Sequence, residues 1–239
     1  MSKLAVDDDD RCFIDPVTAF PVCSRGIVGA PATAVTAVDV VNGRACALTG
    51  EVAEDAVADP PIIGSPGGEL VCWGAVDSTN GPPGGRSVGP WAFVTVGPRH
   101  VCVSSRVDDD AGTAGGDITC FGNDEFGQAT PLTDRFNALA SVDDVTCGVR
   151  TIATDRGVGC WGDDRFGGPV TSPFLKQDIE LGDTIGCVLD QFQGVTCFGA
   201  LTTTIPGSVQ GSFGVGDDYA CGISNGGLSC IGNTRYPIR

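Results

Sequence analysis

The sequence is poor in positive charge and almost lacks histidine. Two lysines, Lys3 and Lys176, and twelve arginines stand against 30 acidic residues, which gives a formal net charge of −16. Because nucleic-acid binding depends largely on Lys and Arg neutralising phosphates, this balance argues against a nucleic-acid partner. The single histidine, His100, excludes a metal site built from several histidines and limits any Ser/His/Asp triad to one position.

Long apolar runs and convincing amphipathic helices are also missing. No apolar stretch approaches the length that spans a bilayer, so we expect no membrane insertion. The best helical candidate, residues 132–142, is short and ends in residues typical of strands. Glycine and proline, in contrast, number 36 and 15 of 239 residues. This composition predicts an all-β protein of brief strands and tight turns, folded as a single domain over residues 1–239.

The cysteines reveal an internal repeat. Twelve cysteines divide the chain into six blocks with two cysteines each, centred on residues 6–26, 40–74, 96–122, 142–162, 181–199 and 215–232. In five blocks the second cysteine opens a Cys, large apolar residue, Gly motif, whereas the first block has "CSRG" at Cys23. A glycine three or four residues before the second cysteine of these five blocks indicates a hairpin turn that leads into a strand.

This hairpin pattern predicts how the cysteines pair. Two cysteines on neighbouring antiparallel strands face each other at a distance that a disulfide spans. The predicted bonds are Cys12–Cys23, Cys46–Cys72, Cys102–Cys120, Cys147–Cys160, Cys187–Cys197 and Cys221–Cys230. Zinc binding is disfavoured because no pair has Cys-x-x-Cys spacing. Free thiols in a reducing cytosol are the remaining alternative.

Repeats of a few short strands cannot bury both faces of a small sheet unless they stack on one another. We therefore predict a six-bladed β-propeller of short antiparallel sheets, with one disulfide inside each blade. The residues before the first block and after the last make up about one linker. The ring is accordingly expected to close through the N- and C-termini.

Several motifs resemble a known family. They are "CAL" at Cys46–Leu48, "VCWG" at Val71–Gly74, "GNDEFGQ" at Gly122–Gln128 and "GDDRFGG" at Gly162–Gly168. The pattern is similar to the repeat of the regulator of chromosome condensation (RCC) family, especially its secreted bacterial form with a cysteine pair in each repeat. The resemblance implies a propeller, although familiar members have seven blades. Members include a nucleotide-exchange factor, a photoreceptor and a β-lactamase inhibitor, so the family does not select one function.

The residues offer little support for catalysis. His100 occupies a repeat position that other blocks fill with unrelated residues. The resembling family often has a histidine there as part of the strand, which implies a structural role and not that of a general base. Trp73 and Trp161 share a repeat position with phenylalanines and are expected in the blade cores. Acidic pairs are abundant, but no pair is singled out, so a glycan-processing activity stays an alternative. We expect no enzyme, no catalytic residue and no cofactor.

Asp or Asn recurs two positions after the start of five of the six blocks. These positions hold Asp8, Asn42, Pro98, Asp144, Asp183 and Asp217. Asp and Asn favour turns because their side chains bond to nearby backbone. A ring of Asp8, Asp144, Asp183 and Asp217 that attracts calcium at one channel mouth is the weaker interpretation.

Binding residues are expected where the blocks depart from the minimal repeat. The longest departures are the hairpin tip 50–68, the link 74–91 and the tip 106–116. Insertions on a rigid scaffold often carry binding, so we select Arg86, Trp91 as an exposed aromatic anchor, and Asp108, Asp109 and Asp110.

The disulfides place the protein outside the cell or on a virus or phage particle, although no signal peptide is visible at the start of the sequence. The predicted function is a non-catalytic structural or interaction module that binds a protein, cell or particle surface. The alternatives are an enzyme inhibitor, a virion decoration or attachment protein, and a glycan-binding or glycan-processing protein.

Overall fold

The computed structural model describes residues 4–7, 10–24, 26–50, 68–77, 79–105, 116–151, 157–167 and 176–233. In these ranges the regular structure consists of β-strands and one short 3₁₀ turn at Pro83–Gly85. The strands are β1 (Leu4–Asp7), β2 (Asp10–Ile14), β3 (Pro21–Cys23), β4 (Val35–Val41), β5 (Arg44–Thr49), β6 (Gly68–Gly74), β7 (Arg86–Val96), β8 (His100–Ser105), β9 (Ile118–Gly122), β10 (Phe136–Val142), β11 (Val145–Arg150), β12 (Val158–Gly162), β13 (Lys176–Leu181), β14 (Ile185–Asp190), β15 (Val195–Gly199), β16 (Val209–Val215), β17 (Tyr219–Ser224) and β18 (Gly227–Gly232). A helix long and apolar enough to cross a membrane is not found among the described residues.

The strands form consecutive three-stranded antiparallel units, which we number 1 to 6. Unit 1 is β1–β3, unit 2 is β4–β6, unit 3 is β7–β9, unit 4 is β10–β12, unit 5 is β13–β15 and unit 6 is β16–β18. Units 2 and 3 merge into one six-stranded sheet because β6 also pairs with β7. The all-β architecture of small antiparallel sheets predicted from the repeats is confirmed. The stretch 132–142, which showed no convincing helical pattern and ended in residues typical of strands, contains strand β10 from Phe136 to Val142.

Tight turns align the strands within a unit. Between β4 and β5, Asn42 and Gly43 have φ angles of 46° and 73°. Between β17 and β18, Asn225 and Gly226 have φ angles of 53° and 77°. Positive φ at both central residues is the requirement of a type I′ turn, which Asn-Gly meets with little strain. The first turn thus sets the register of β4 with β5, and the second sets the register of the two strands that carry Cys221 and Cys230.

Each unit contains one disulfide between its second and third strands. The paired cysteines lie directly opposite each other in the strand register, with Cα atoms 4.0–4.1 Å apart. All six predicted pairings are confirmed, and no described cysteine is free. Each bond closes a loop of 9 to 26 residues, so each is worth on the order of 3 kcal/mol in the chain-entropy account.

The hydrophobic core lies between units. At the first junction, Ala5 and Ile14 of unit 1 pack with Val38 and Trp73 of unit 2. Four further cores join units 2 to 3, 3 to 4, 4 to 5 and 5 to 6. At each junction the disulfide-bearing face of one unit meets the opposite face of the next. The first strands of successive units also lie side by side, from β1 and β4 through to β13 and β16.

The outer faces of units 1 and 6 differ from the faces buried at the internal junctions. Among the described residues, no hydrophobic core joins unit 6 to unit 1. Leu4 and Phe13 of unit 1 are 66% and 39% exposed, and Ile223 and Leu228 of unit 6 are 43% and 48% exposed. Closure of the ring through the termini therefore stays a prediction.

Replacing Trp161 tests the contribution of one junction. Trp161 is buried, its ring centroid lies 5.5 Å from that of Phe136, and its Nε1–H donates to the Gln128 carbonyl at 3.2 Å. We expect Trp161→Ala to lower the free energy of unfolding by about 3–5 kcal/mol, measured by circular dichroism in urea with the disulfides intact. Val88→Ala is the control, because an exposed substitution changes stability by about 0.5 kcal/mol or less. Equal losses of unfolding free energy in Trp161→Ala and Val88→Ala would contradict the assignment of Trp161 to a buried core.

Candidate partner-binding surface

His100 opens the second strand of unit 3 and is fully buried. Its Nε2 lies 2.6 Å from Oγ1 of Thr146 in unit 4, and that hydroxyl lies 2.8 Å from Oγ of Ser141. Burial, reinforced by the positive charge of Arg44, lowers the pKa of His100 to about 4. The imidazole is therefore neutral at physiological pH and out of contact with solvent. It connects units 3 and 4 and is not placed to act on a substrate.

Arg44 opens the second strand of unit 2 and reaches into unit 3. Its guanidinium donates to the backbone carbonyls of Asn80 and Gly97, and to that of His100 at 3.1 Å. Only 1% of Arg44 is exposed, and burial lowers its pKa to about 10 although Asp77 and Asp39 act in the opposite direction. The side chain stays charged at neutral pH and is held by backbone carbonyls.

Sequence reasoning did not select Arg44. A signal was present, because Asp10, Arg44 and His100 occupy the same repeat position at the start of the second strand. Asp10 Oδ2 accepts a hydrogen bond from the Gly43 amide of unit 2. In units 1 to 3 this position therefore supplies a polar contact to the following unit. In units 4 and 5 it holds Val145 and Ile185, which are buried in the junction cores.

The acidic turn residues form ion pairs and turn contacts in the structure. Asp144 accepts two hydrogen bonds from the Arg99 guanidinium, at 3.0 and 2.6 Å, and one from Gln128 at 3.1 Å. The backbone carbonyl of Asp183 accepts a hydrogen bond from the Arg165 guanidinium, and that of Asp217 accepts one from the Thr184 hydroxyl. Asp8 lies outside the described residues. Within the described ranges, no three acidic, histidine or cysteine side chains are grouped so that they could hold a metal ion.

The pairing of β6 with β7 creates a surface that is not found elsewhere among the described residues. β7 has eleven residues, the most of any described strand, and its first half pairs with β6 while its second half pairs with β8. Along this first half, Arg86 makes a 2.8 Å ion pair with Glu69, and Val88 is 87% exposed. We call Glu69, Arg86, Val88 and Trp91 the bridge surface, because they lie where the two units are joined.

Trp91, expected as an exposed aromatic anchor, is half-buried, and its part in binding stays a prediction. Its ring packs at the edge of the core between units 2 and 3, and Nε1–H donates to the Ser87 carbonyl at 3.2 Å. A Cβ added at Gly89 would clash with the Trp91 ring, so the indole covers that glycine closely. The indole is therefore held in one orientation, and only part of it faces solvent.

The other selected binding residues are not brought to this surface by the described structure. Asp108, Asp109 and Asp110, the hairpin tip 51–67 and residues 106–115 lie outside the described residues. The segments that flank both tips, β5–β6 and β8–β9, belong to the six-stranded sheet of units 2 and 3. The selected binding residues therefore all belong to these two units of the chain.

Comparisons with known proteins support the propeller fold. No protein-family model and no curated protein sequence matches the chain. Among solved structures, the ectodomain of the receptor kinase CR4 from Physcomitrella patens has a TM-score of 0.69 and 20% identity, over 99% of this chain and 62% of that one. The chain therefore spans less than two thirds of the length of that ectodomain.

Two further structures are similar over most of the chain. The CRINKLY WD40 ectodomain of the receptor kinase ACR4 from Arabidopsis thaliana has a TM-score of 0.64 and 16% identity, over 96% of this chain and 78% of that one. Prp20p from Saccharomyces cerevisiae has a TM-score of 0.62 and 12% identity, over 96% and 71%. The chain folds as a β-propeller. At these identities the similarity concerns the fold alone.

The buried histidine makes stability depend on pH. The pKa of His100 falls from 6.5 in the unfolded chain to about 4 in the folded protein, so the unfolded state binds more protons between these values. Stability is therefore lost as the pH falls from about 6.5 to about 4, with a contribution of about 3 kcal/mol from this group. Urea unfolding at pH 7 and pH 4.5 should show a smaller difference for His100→Gln than for the unchanged protein. The same pH dependence in both proteins would contradict this assignment.

Arg44 and Arg86 allow a comparison between a buried and an exposed arginine. Arg44→Met leaves buried carbonyls without their donor, and we expect a loss of about 3 kcal/mol of unfolding free energy. Arg86→Met removes an ion pair in which the arginine side chain is 58% exposed, so its effect should be about 1 kcal/mol or less. Chemical denaturation at pH 7 measures the free energy of unfolding of both variants. Similar effects from the two substitutions would show that Arg44 does not contribute as a buried donor.

Proposed function

We propose that this chain is a non-catalytic, extracellular or particle-surface module that binds a protein partner through the bridge surface and the loops of units 2 and 3. The observation that carries the proposal is the departure of these two units from the minimal blade. The same two units contain the long β7, the exposed Val88 and both long hairpin insertions. A rigid scaffold with local insertions is a common arrangement for recognition.

The chemistry of the bridge surface suits a protein partner. Trp91 offers a large ring that is already fixed in place, so little side-chain entropy is lost when it is covered. Val88 adds an exposed apolar contact, and Arg86 and Glu69 form a polar rim. Because the chain carries a net charge of −16, a partner with a basic surface would associate faster at low ionic strength.

Three further observations support the location and the absence of catalysis. Disulfides in every unit suit an oxidising environment. Two of the similar structures are receptor kinase ectodomains, and the third is described by its binding to Gsp1p and histones. The buried, neutral His100 also lacks the access to solvent that a general base needs. The RCC-like repeat resemblance fits the same role, and inhibition of an enzyme is a special case of it.

The proposal is tested by partner capture followed by affinity measurement. The oxidised protein is cross-linked to cell surfaces and culture medium, and captured proteins are identified by mass spectrometry. Binding of the leading protein is then measured by interferometry with Arg86→Glu, Val88→Asp and the matched control Phe192→Asp. Phe192 is 62% exposed but lies in unit 5, so its variant should bind normally. We expect the two bridge variants to weaken binding by about tenfold or more.

Two outcomes would contradict the proposal. Equal binding by Val88→Asp and the unchanged protein would remove the bridge surface from the interface. Turnover of a glycan or another substrate, abolished by an Asp→Asn substitution, would contradict the absence of catalysis.

A further inference from the structure

The outer strand of unit 3, β9, has the same sequence as the outer strand of unit 5 except at one residue. β9 reads "ITCFG" from Ile118 to Gly122, and β15 reads "VTCFG" from Val195 to Gly199. Each is the last strand of its unit and carries the second cysteine of the disulfide. The surroundings of the two strands can therefore be compared residue by residue.

In unit 5 the outer edge of β15 is covered by the link that follows it. The amide of Cys197 donates to the Thr203 carbonyl at 2.8 Å. Two residues further on, the amide of Ile205 donates to the Val195 carbonyl at 3.0 Å. Ile205 also packs in the adjoining core and is 3% exposed. The link from Thr203 to Ile205 thus adds a short antiparallel strand to the outside of unit 5.

Unit 2 fills the equivalent place with a different segment of the chain. The first half of β7 pairs with the outer edge of β6, where Leu70 lies opposite Ser87. Leu70 is two residues before Cys72, as Val195 is two residues before Cys197. Units 2 and 5 therefore extend their sheets at the same place, each with a link of its own.

β9 has the same edge without a strand on it. The Ser105 amide donates to the Asp117 carbonyl at 2.9 Å, and successive residues of an antiparallel strand direct their backbone groups to opposite sides. The backbone groups of Ile118 and Cys120 therefore point away from β8. In the part of the chain that the structure describes, the Cys120 amide and the Ile118 carbonyl have no hydrogen-bond partner. Their counterparts in β15 are the two groups that bind the link.

The link after β9 takes another path. Residues 123–135 are all described, and their backbone makes no hydrogen bond to β9. Only the side chain of Leu132 joins Ile118 and Cys120, in the core between units 3 and 4. All five residues of β9 are accordingly partly exposed, whereas three of the five residues of β15 are buried.

The sequence of β9 does not protect this edge. Natural edge strands are commonly protected from pairing with another chain by a charge or a proline. The outer strand of unit 1, β3, begins with Pro21. β9 contains neither a charge nor a proline, and Ile118, Thr119 and Phe121 favour extended structure. The edge is therefore able to accept a further strand.

We propose that β9 is a docking edge for an extended segment of a partner protein, which adds to the six-stranded sheet as an antiparallel seventh strand. Backbone pairing supplies the affinity in this mode of recognition, and alternate side chains supply the specificity. The segment is rich in β-branched residues, as "TTI" at Thr203–Ile205 is. Basic residues flank it, because Asp117 and Asp124 are exposed on either side of β9 and the chain carries a net charge of −16.

The inference rests on the proposed function for the presence of a protein partner and names the form of the segment that binds. β9 lies outside the bridge surface, which belongs to β6 and β7. The docking edge and the bridge surface can therefore fail separately.

A peptide with the sequence of the link that covers β15 is the probe. Its sequence is "LTTTIP", residues 201–206, with a lysine added at each end. Hydrogen exchange of the oxidised, isotope-labelled full chain is followed by NMR with and without the peptide. At a peptide concentration of about ten times the dissociation constant, exchange of the Cys120 amide should slow about tenfold. The Cys197 amide is already bonded to Thr203 and should keep its rate.

Matched variants distinguish backbone pairing from unspecific adhesion. N-methylation of the isoleucine in the peptide removes the donor that Ile205 provides in unit 5, and should abolish the effect. In the protein, Ile118→Pro removes an amide that points away from β8 and should prevent binding. Ile118→Val reproduces the sequence of β15 and should bind normally. Arg86→Glu and Val88→Asp alter only the bridge surface and should leave binding of the peptide unchanged.

Three results would overturn the proposal. The first is exchange of the Cys120 amide that the peptide does not slow. The second is equal slowing by the peptide and by its N-methylated form. The third is protection of the Cys120 amide that rises with protein concentration in the absence of peptide, since a second copy of the chain would then pair with the edge.

Discussion

Packing of the disulfide-bearing face of one unit against the opposite face of the next is the contact on which this structure depends. A small sheet of short strands is stable in water only when its apolar face is covered by other parts of the protein, and a repeat unit of this kind cannot cover both of its faces alone. Both faces of a unit are buried only when a neighbouring unit covers each of them. In unit 2, Ala45 packs in the core shared with unit 1, and Leu48, on the opposite face, packs in the core shared with unit 3. The disulfides act inside units and fix the register of the surfaces that meet. Stability within a unit and stability between units are therefore linked through the same strands.

Polar side chains add specificity to these apolar junctions. Arg44 and His100 are buried at equivalent positions and each bonds to the following unit, although the chemistry differs. Arg44 donates to backbone carbonyls, whereas His100 pairs with a hydroxyl. A buried polar residue that finds its partner only in the correct neighbour penalises misaligned packing, since an unpaired group would lose its hydrogen bonds. The junctions are thus distinguished from one another even though their apolar parts are similar.

The fold was predictable from the sequence because the same block of two cysteines and a hairpin is repeated six times. The hairpin pattern around the cysteines predicted the pairing, since each pair is local to one unit even where the loop between its strands is long. The bridge between β6 and β7 was not predictable, because it depends on how a link folds back on the preceding strand. The half-burial of Trp91 has the same origin, as its indole packs on a glycine two residues away and a carbonyl four residues away. The contact made by Arg44 was missed because its repeat position holds chemically different residues in each unit, so the shared position alone does not show that this arginine is buried.

The hydrogen bonds between β6 and β7 affect the order in which the units unfold locally. Units 2 and 3 share a backbone ladder, while the other neighbouring units are held mainly by side-chain packing. Amide protons in these two units should thus be released to solvent as one cooperative group, and after those of the end units. The molecule therefore contains a double-sized rigid block within an otherwise uniform series, and partial opening under heat or force begins away from it.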